Sequence, residues 1–409
     1  MFDPEEYLNS LEPIGWKLGL ERMNRLCDEL GRPQDSYETI HIVGTNGKSS
    51  VARMTAALLE AHGRKAACSV SPHISHWSER VIVGGLEVAP KDFAAAVERT
   101  SEAAGRVNAT FEEGEVVTQF ELATAAAFLA MAEAGVEVAA IEAGLGGRLD
   151  ATNTINSTAT VLTSIGLDHT EYLGETELEI VAEKLAVLRP GTALVLGAVS
   201  PEVERFALER AKELECEVRR PGEDGQSFEH QISARYQRGN FAIAVLAAEG
   251  VLGAVDRDRA KAVALSVVVP GRLEKVGHDP DVYLDAAHNR PGAAALAASL
   301  PEIADGRPVI AVFGTLSDKD AGGMLAELAG VVDTLILTGL PGQALTDWGR
   351  PGARTFPVAE LKAFADGLGV GSEPSPDARE ALSRAGSIAR ENDGLVLVTG
   401  SHFLLSALE

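Results

Sequence analysis

The segment GTNGKSS, residues 44–50, holds the residue types best suited to chemistry on a phosphate. Gly44 and Gly47 frame a tight turn between an apolar strand pattern, Tyr37 to Val43, and a helical pattern, Ser49 to His62, that Gly63 closes. Such a turn aims backbone N–H groups and the positive end of a helix dipole at one point, which suits a polyphosphate. Lys48 adds a point charge. In the general phosphate-loop pattern the first glycine stands five residues before the second, and that place here is Ile42. The segment by itself therefore leaves open an ordinary glycine turn with a solvated lysine.

A bound polyphosphate brings Mg²⁺, which takes oxygen ligands. The segment EVAAIEAGLGGRLDATN offers one: Val138 to Ile141 reads as an apolar strand, and Glu142 stands at its C-terminal end. The glycines that follow let a ligand approach the backbone. Read alone, Glu142 is equally a loop carboxylate or helix cap, and Asp150 and Asn153 equally turn formers.

These residues need a scaffold of strands and helices in alternation. Further strands are expected at 65–70, 159–164 and 193–197, with helices at 17–30, 91–103, 119–134, 177–188, 201–214 and 240–250. RVIVGGLEV reads as a hairpin turning at Gly84 and Gly85. A second series, with strands at 281–285, 308–313, 333–338 and 394–398, follows a break at Pro270 and Gly271. Strands separated by helices imply parallel α/β sheets. The expected domains are 1–269 and 270–409, with a Gly/Pro-rich surface loop at 341–357.

A chain of 409 residues exceeds what one core usually supports, in keeping with two domains. Sixty acidic against 36 basic residues give a net charge of -24, a field that repels nucleic-acid backbones and anionic lipid. Anionic substrates must then be held by local cations, metal and helix N-termini. Cys27, Cys68 and Cys216 fit neither a disulfide framework nor a metal knuckle and read as reduced thiols. With no secretory pattern and no long apolar run, a cytoplasmic, membrane-free protein is expected.

Taken together, GTNGK (44–48), SPH (71–73), TQFE (118–121), EAGLGGRLDATN (142–153), LDHTEYLG (167–174) and EKLAVLRPG (183–191) resemble the folylpolyglutamate synthase and dihydrofolate synthase family of the Mur ligase group. PGRLE (270–274), DAAHN (285–289), FGTLSDKD (313–320) and TGSHF (399–403) extend the resemblance in order, and LGLERMNRL (18–26) opens it. It implies a P-loop-type ATPase domain with a parallel-rich sheet, binding ATP and folate, and a smaller Rossmann-like α/β glutamate ligase domain.

The resemblance also implies roles. Asn46, Gly47, Lys48, Ser49 and Ser50 would hold the ATP phosphates, while Ser71, Glu142 and His169 would bind Mg²⁺. Asn240, Arg272 and Asp285 would contact ATP. Leu18, Gly19, Leu20, Thr118, Leu149, Asp150 and Ala151 would line the pteridine-bearing substrate, and His288 and Ser401 the incoming L-glutamate. Lys184 matches a lysine carbamylated in the family, where it would become an oxygen donor for a second Mg²⁺; its surroundings, VAEKLAVL, place it mid-helix. Lys48, His169, Lys184, Arg272 and Asp285 form the implied catalytic set.

Three places depart from the family pattern. GTNGKGS reads GTNGKSS, which leaves Ser49 and Ser50 open as the phosphate-side hydroxyl; HNP reads His288, Asn289, Arg290, Pro291; and HQ reads Tyr236, Gln237. The implied reaction is ATP-dependent addition of L-glutamate to dihydropteroate, reduced folyl-glutamates or both, through an acyl phosphate, by a monomer. A Mur-type ligase acting on a cell-wall nucleotide precursor is the rival of the same mechanism, and a non-catalytic ATP-gated binding protein the rival of another class.

Overall fold

Continuous apolar runs such as ALVL and VAAIE suit strands covered on both faces, which is how parallel sheets are built. The computed structural model describes residues 2–11, 19–112, 114–222, 232, 234–342 and 353–408. It holds two units, one of residues 1–232 and 237–267, the other of 233–236 and 268–409.

The first unit contains β1 (Glu38–Val43), β2 (Ala66–Ser69), β3 (Val81–Val83), β4 (Leu86–Glu87), β5 (Val138–Glu142), β6 (Ala159–Leu162), β7 (Ala193–Leu196) and β8 (Glu217–Arg219). They lie in the order β4-β3-β2-β5-β1-β6-β7-β8. All neighbours are parallel except β2 with β3 and β3 with β4. The register sets Ile42 beside Glu142 and Val43 beside Leu162, so the segments leaving β1, β5 and β6 emerge at one edge. That edge, the carboxyl end of the strands, is where open α/β sheets bind ligands.

One face of this sheet is packed by the helices Glu21–Glu29, Pro90–Asn108 and Gln119–Glu133. The last is buried nearly all round, because its run of alanines lets neighbouring backbone approach closely. Met23, Leu26, Leu122 and Phe128 fill the core between them.

The second unit contains β9 (Arg272–His278), β10 (Asp281–Asp285), β11 (Val309–Phe313), β12 (Thr334–Leu337), β13 (Gly371–Pro374) and β14 (Leu395–Thr399). Their order is β13-β12-β11-β14-β10-β9, parallel except for β9 against β10. Asp285 pairs with Thr399 and Phe313 with Thr399, so DAAHN and TGSHF leave the sheet side by side.

The expected strands and helices are present with ends shifted by a few residues; β8, β9 and β13 are additional. The helix expected at 17–30 spans Glu21–Glu29, and residues 17 and 18 lie outside the described set, as do residues 343–352 of the expected loop. Lys184 is not mid-helix. It is the last residue of the helix Glu177–Lys184, where the chain tightens into a 3-10 turn, Leu185–Val187.

Candidate active site

The turn after β1 is braced by the turn after β6. Thr45 N–H donates to the Ser164 carbonyl at 2.8 Å, the Thr163 hydroxyl to the Asn46 carbonyl at 2.7 Å, and Asn46 N–H to Ser164 Oγ at 3.1 Å. Gly47 caps the helix Lys48–Ala61 in a left-handed conformation, φ 86°. A β-carbon there would lie 2.6 Å from the Asn240 side-chain oxygen, so only glycine fits. Asn240, expected as a nucleotide contact, thus packs on the phosphate loop, its amide donating to Gln237 Oε1 at 2.8 Å. Lys48 Nζ donates to the Thr45 carbonyl at 3.1 Å.

Glu142 ends β5, next to β1, and is buried. Its Oε2 accepts the Ser71 N–H at 3.0 Å, and its Oε1 accepts the Ser49 hydroxyl at 3.0 Å. Ser49, Ser71 and Glu142 therefore meet, and their hard oxygen donors fit Mg²⁺. His169 stands in the turn after β6 with φ 50°, at the head of the short helix Thr170–Leu173, 3.9 Å from an Asp168 oxygen. Among the described residues no three His, Cys, Asp or Glu side chains form a metal cluster, so phosphate oxygens and water must complete any Mg²⁺ shell.

Lys184 is buried. Burial pushes its amine down to about 7; the Lys48 charge adds to that push, and Asp168 and Asp150 oppose it. Arg148 joins the glycine-rich loop to this helix end, its N–H donating to the Glu183 carbonyl at 3.0 Å and its Nε to Glu183 Oε1 at 2.8 Å.

The residues expected along the acceptor have structural duties of their own. Thr118 caps the helix Gln119–Glu133, accepting from Glu121 N–H at 3.2 Å, and Glu121 Oε2 accepts the Thr118 N–H at 2.8 Å. Buried Arg22 pairs with the same Glu121 carboxylate at 3.0 Å. Asp150 is buried and accepts from Leu145 N–H at 2.7 Å, Thr152 N–H at 3.0 Å and the Thr152 hydroxyl at 2.5 Å. Desolvation raises its carboxyl, and these bonds oppose the rise. Leu149 is exposed and Ala151 buried. Gly19 and Leu20 lead into the helix Glu21–Glu29, and Leu18 lies outside the described residues.

In the second unit, Asp285 ends β10 buried. Its Oδ2 accepts the Tyr236 hydroxyl at 2.6 Å and the Leu273 N–H at 3.0 Å, and its Oδ1 accepts the Ala287 N–H at 2.9 Å. The Arg272 charge acts on both Asp285 and Tyr236. His288 Nδ1 donates to the Ala286 carbonyl at 3.0 Å, and its ring lies 5.4 Å from that of His402. Ser401 caps the helix His402–Ser406.

Several contributors have no role assigned from the sequence: Thr163 and Ser164 under the phosphate loop, Asp168 near Lys184, Tyr236 on Asp285, and Arg80. The Arg80 guanidinium lies 4.0 Å from the Trp77 ring centre, and its Nε donates to His73 Nδ1 at 2.8 Å. His41, on β1, completes the loop's support, its Nε2 2.8 Å from Thr152 Oγ1. That Thr152 hydroxyl spends its hydrogen on Asp150, so His41 Nε2 is the donor. Position is the only sequence signal, and only for some: Thr163 and Ser164 follow an apolar strand and His41 lies within one, whereas Tyr236 stands on the helix Arg235–Leu252 and Arg80 ends the 3-10 turn Trp77–Arg80.

The Mur ligase middle domain family matches residues 42–252, and the Mur ligase glutamate ligase domain family matches 271–402. The chain is 34% identical over 358 residues to the dihydrofolate synthase/folylpolyglutamate synthase of Mycobacterium tuberculosis, covering 78% of this chain and 74% of that protein. With the Bacillus subtilis enzyme of the same name it shares 30% identity over 434 aligned positions, 99% of this chain and 97% of the other. Folylpolyglutamate synthase of M. tuberculosis complexed with ADP superposes with a TM-score of 0.88, at 32% identity over 98% and 96% of the two chains. The Yersinia pestis bifunctional folylpolyglutamate synthase/dihydrofolate synthase complexed with AMPPNP and Mn gives 0.83, at 28% identity over 98% and 95%.

Proposed function

The chain belongs to the dihydrofolate synthase/folylpolyglutamate synthase family of Mur ligases, ATP-dependent acid–amino-acid ligases of the folate pathway, and on that premise we propose its substrates and mechanism. ATP phosphorylates a carboxylate of dihydropteroate, of reduced folyl-glutamates, or of both. The neutral amine of L-glutamate then attacks the acyl phosphate and expels inorganic phosphate, leaving an amide and ADP. The enzyme works as a monomer in the cytoplasm. Residues 1–269 bind ATP and the acceptor, and 270–409 bind glutamate.

In this reading Lys48 and the N–H groups of Gly47 to Ser50, on the turn that Asn46 opens, hold the β- and γ-phosphates, so that the acceptor carboxylate attacks in line. Ser71, Glu142 and His169 hold Mg²⁺. When bound, that ion neutralises charge building on the phosphate oxygens. Asn240, Arg272 and Asp285 serve the nucleotide. The Asp285 carboxylate does so through Leu273 and Tyr236, because its oxygens are taken by those bonds. Gly19, Leu20, Thr118 and residues 149–151 line the acceptor, and His288 and Ser401 receive glutamate. Lys184, its amine pushed down to about 7, bonds through its neutral nitrogen to CO₂, releases a proton to water and becomes a carbamate that supplies an anionic oxygen.

The observation that carries this reading is the adjacency of the phosphate loop and a buried strand-end carboxylate, joined through Ser49 and Glu142 at 3.0 Å. The test is purified protein with ATP, Mg²⁺ and labelled glutamate, given each acceptor separately. Labelled amide and ADP should form only when ATP, a pteroyl acceptor and glutamate are all present. ADP release without acceptor would replace ligation with a simple ATPase or gated-binding role. Turnover only with a uridine-nucleotide acceptor would move the protein to the cell-wall branch.

A further inference from the structure

We propose that the Ser49 hydroxyl is itself an oxygen ligand of the divalent cation that accompanies ATP, so that Ser49 joins Ser71, Glu142 and His169 in the protein's share of that metal shell. The inference rests on the phosphate-site reading above and adds a ligand to it.

Three observations carry it. Ser49 directly follows the Gly47–Lys48 pair, the place where the general phosphate-loop pattern puts a Ser or Thr hydroxyl on Mg²⁺. Its Oγ is 3.0 Å from Glu142 Oε1 and 3.5 Å from the Ser71 carbonyl oxygen, which puts it among the residues already implied in the metal site. A serine hydroxyl has one hydrogen and two lone pairs, and an ionised carboxylate only accepts. Ser49 therefore spends its hydrogen on Glu142 and keeps its lone pairs for a cation, with the carboxylate drawing electron density onto the oxygen.

The neighbouring serine does not compete for this role. Ser50 is buried, and its Oγ is enclosed without a hydrogen-bond partner among the described residues. Its hydroxyl is thus shut inside the helix packing, while Ser49 is half-buried and already engaged at the loop's mouth. The choice between the two serines that the sequence leaves open falls to Ser49. The pattern GTNGKGS, with glycine at this place, has no such oxygen to offer and would leave that position to water.

The test uses Mn²⁺ as probe, by electron paramagnetic resonance titration of the full chain with a non-hydrolysable ATP analogue. Wild type is compared with Ser49→Gly, Ser49→Ala and Ser49→Thr. The glycine and alanine variants should bind Mn²⁺ about tenfold more weakly in the nucleotide complex. Line broadening by ¹⁷O-water should report one more water on the ion in both. Ser49→Thr, which keeps the hydroxyl, should match wild type in affinity and hydration. Alanine keeps helix propensity, so agreement between alanine and glycine excludes a helix-start effect.

Wild-type affinity and hydration in the glycine and alanine variants would overturn the proposal and leave the phosphate-site reading intact. Loss in all three variants would also overturn it, because shape and not the hydroxyl would then be responsible. If wild type itself binds no Mn²⁺ with the nucleotide while Lys48→Ala leaves nucleotide affinity unchanged, both the proposal and the site reading fail together.

Discussion

The carbonyl oxygen of Lys184 lies 2.7 Å from the point that a β-carbon on Gly147 would occupy, and the Glu183 carbonyl oxygen lies 2.9 Å from it. The glycine-rich loop after β5 thus rests on the end of the helix that carries Lys184. Loop and lysine cannot move independently.

Gly147→Ala should therefore push the loop off this helix end. Overpacking of this kind costs about 1–3 kcal/mol. Thermal unfolding should show that loss, and ligation should fall further than stability alone explains, since Asp150 and Glu142 sit at the two ends of the same loop. A variant with wild-type melting and wild-type kcat/KM would show that the loop has slack.

Lys184 leads to a pH signature of stability. Its folded value is about 7, below the 10.5 of an exposed lysine, so between those values the unfolded chain binds the extra proton. The contribution is an increase in stability as pH rises from about 7 to about 10.5, and a full penalty below that window. Lys184→Met should flatten this rise in denaturant titrations at several pH values. The same window favours carbamylation, which consumes a neutral amine; ¹³CO₂ should label wild type and not Lys184→Arg, and Arg should not restore ligation.

The parts legible in the sequence are those where pattern and position coincide. β1 and β5 are apolar runs ending in a glycine turn and a lone carboxylate, and both the strands and the residues at their ends are found where the spacing places them. Strands β8, β9 and β13 are edge or antiparallel members with polar sequences, EVR, RLEKVGH and GSEP, whose burial on at most one face leaves no continuous apolar signal. Lys184 reads as a mid-helix residue because periodicity cannot show that its helix ends there against another loop. Tyr236 and His41 act through partners 49 and 111 residues away, contacts that no local pattern encodes.

His41 should make acid stability a reporter of loop support. Burial and the nearby Arg189 hold its imidazole down at about 3, against 6.5 for a free histidine. The unfolded state therefore binds the extra proton between those values, and this contribution to stability is lost as pH falls from about 6.5 to about 3. His41→Gln, which offers an N–H near the Nε2 position, should retain ligation and remove that part of the acid sensitivity. His41→Leu should leave Thr152 without its donor and raise KM for the acceptor more than for ATP. Equal effects of Gln and Leu on KM would remove the hydrogen bond from the account.

Glu142→Gln keeps the shape of the side chain and removes its charge. Cation affinity in the nucleotide complex should fall about 10–100-fold, read by titrating activity and bound Mn²⁺ together. Unchanged affinity would place the metal elsewhere.

The central claim, that ligation runs through an acyl phosphate, is tested most directly with an acceptor whose reacting carboxylate carries ¹⁸O at both oxygens. Transfer of the γ-phosphoryl group to that carboxylate and its later expulsion by the glutamate amine must move one carboxylate oxygen into the released phosphate. The account predicts one ¹⁸O per inorganic phosphate formed, with Lys48→Ala producing neither labelled phosphate nor amide. Amide formation with unlabelled phosphate would contradict it.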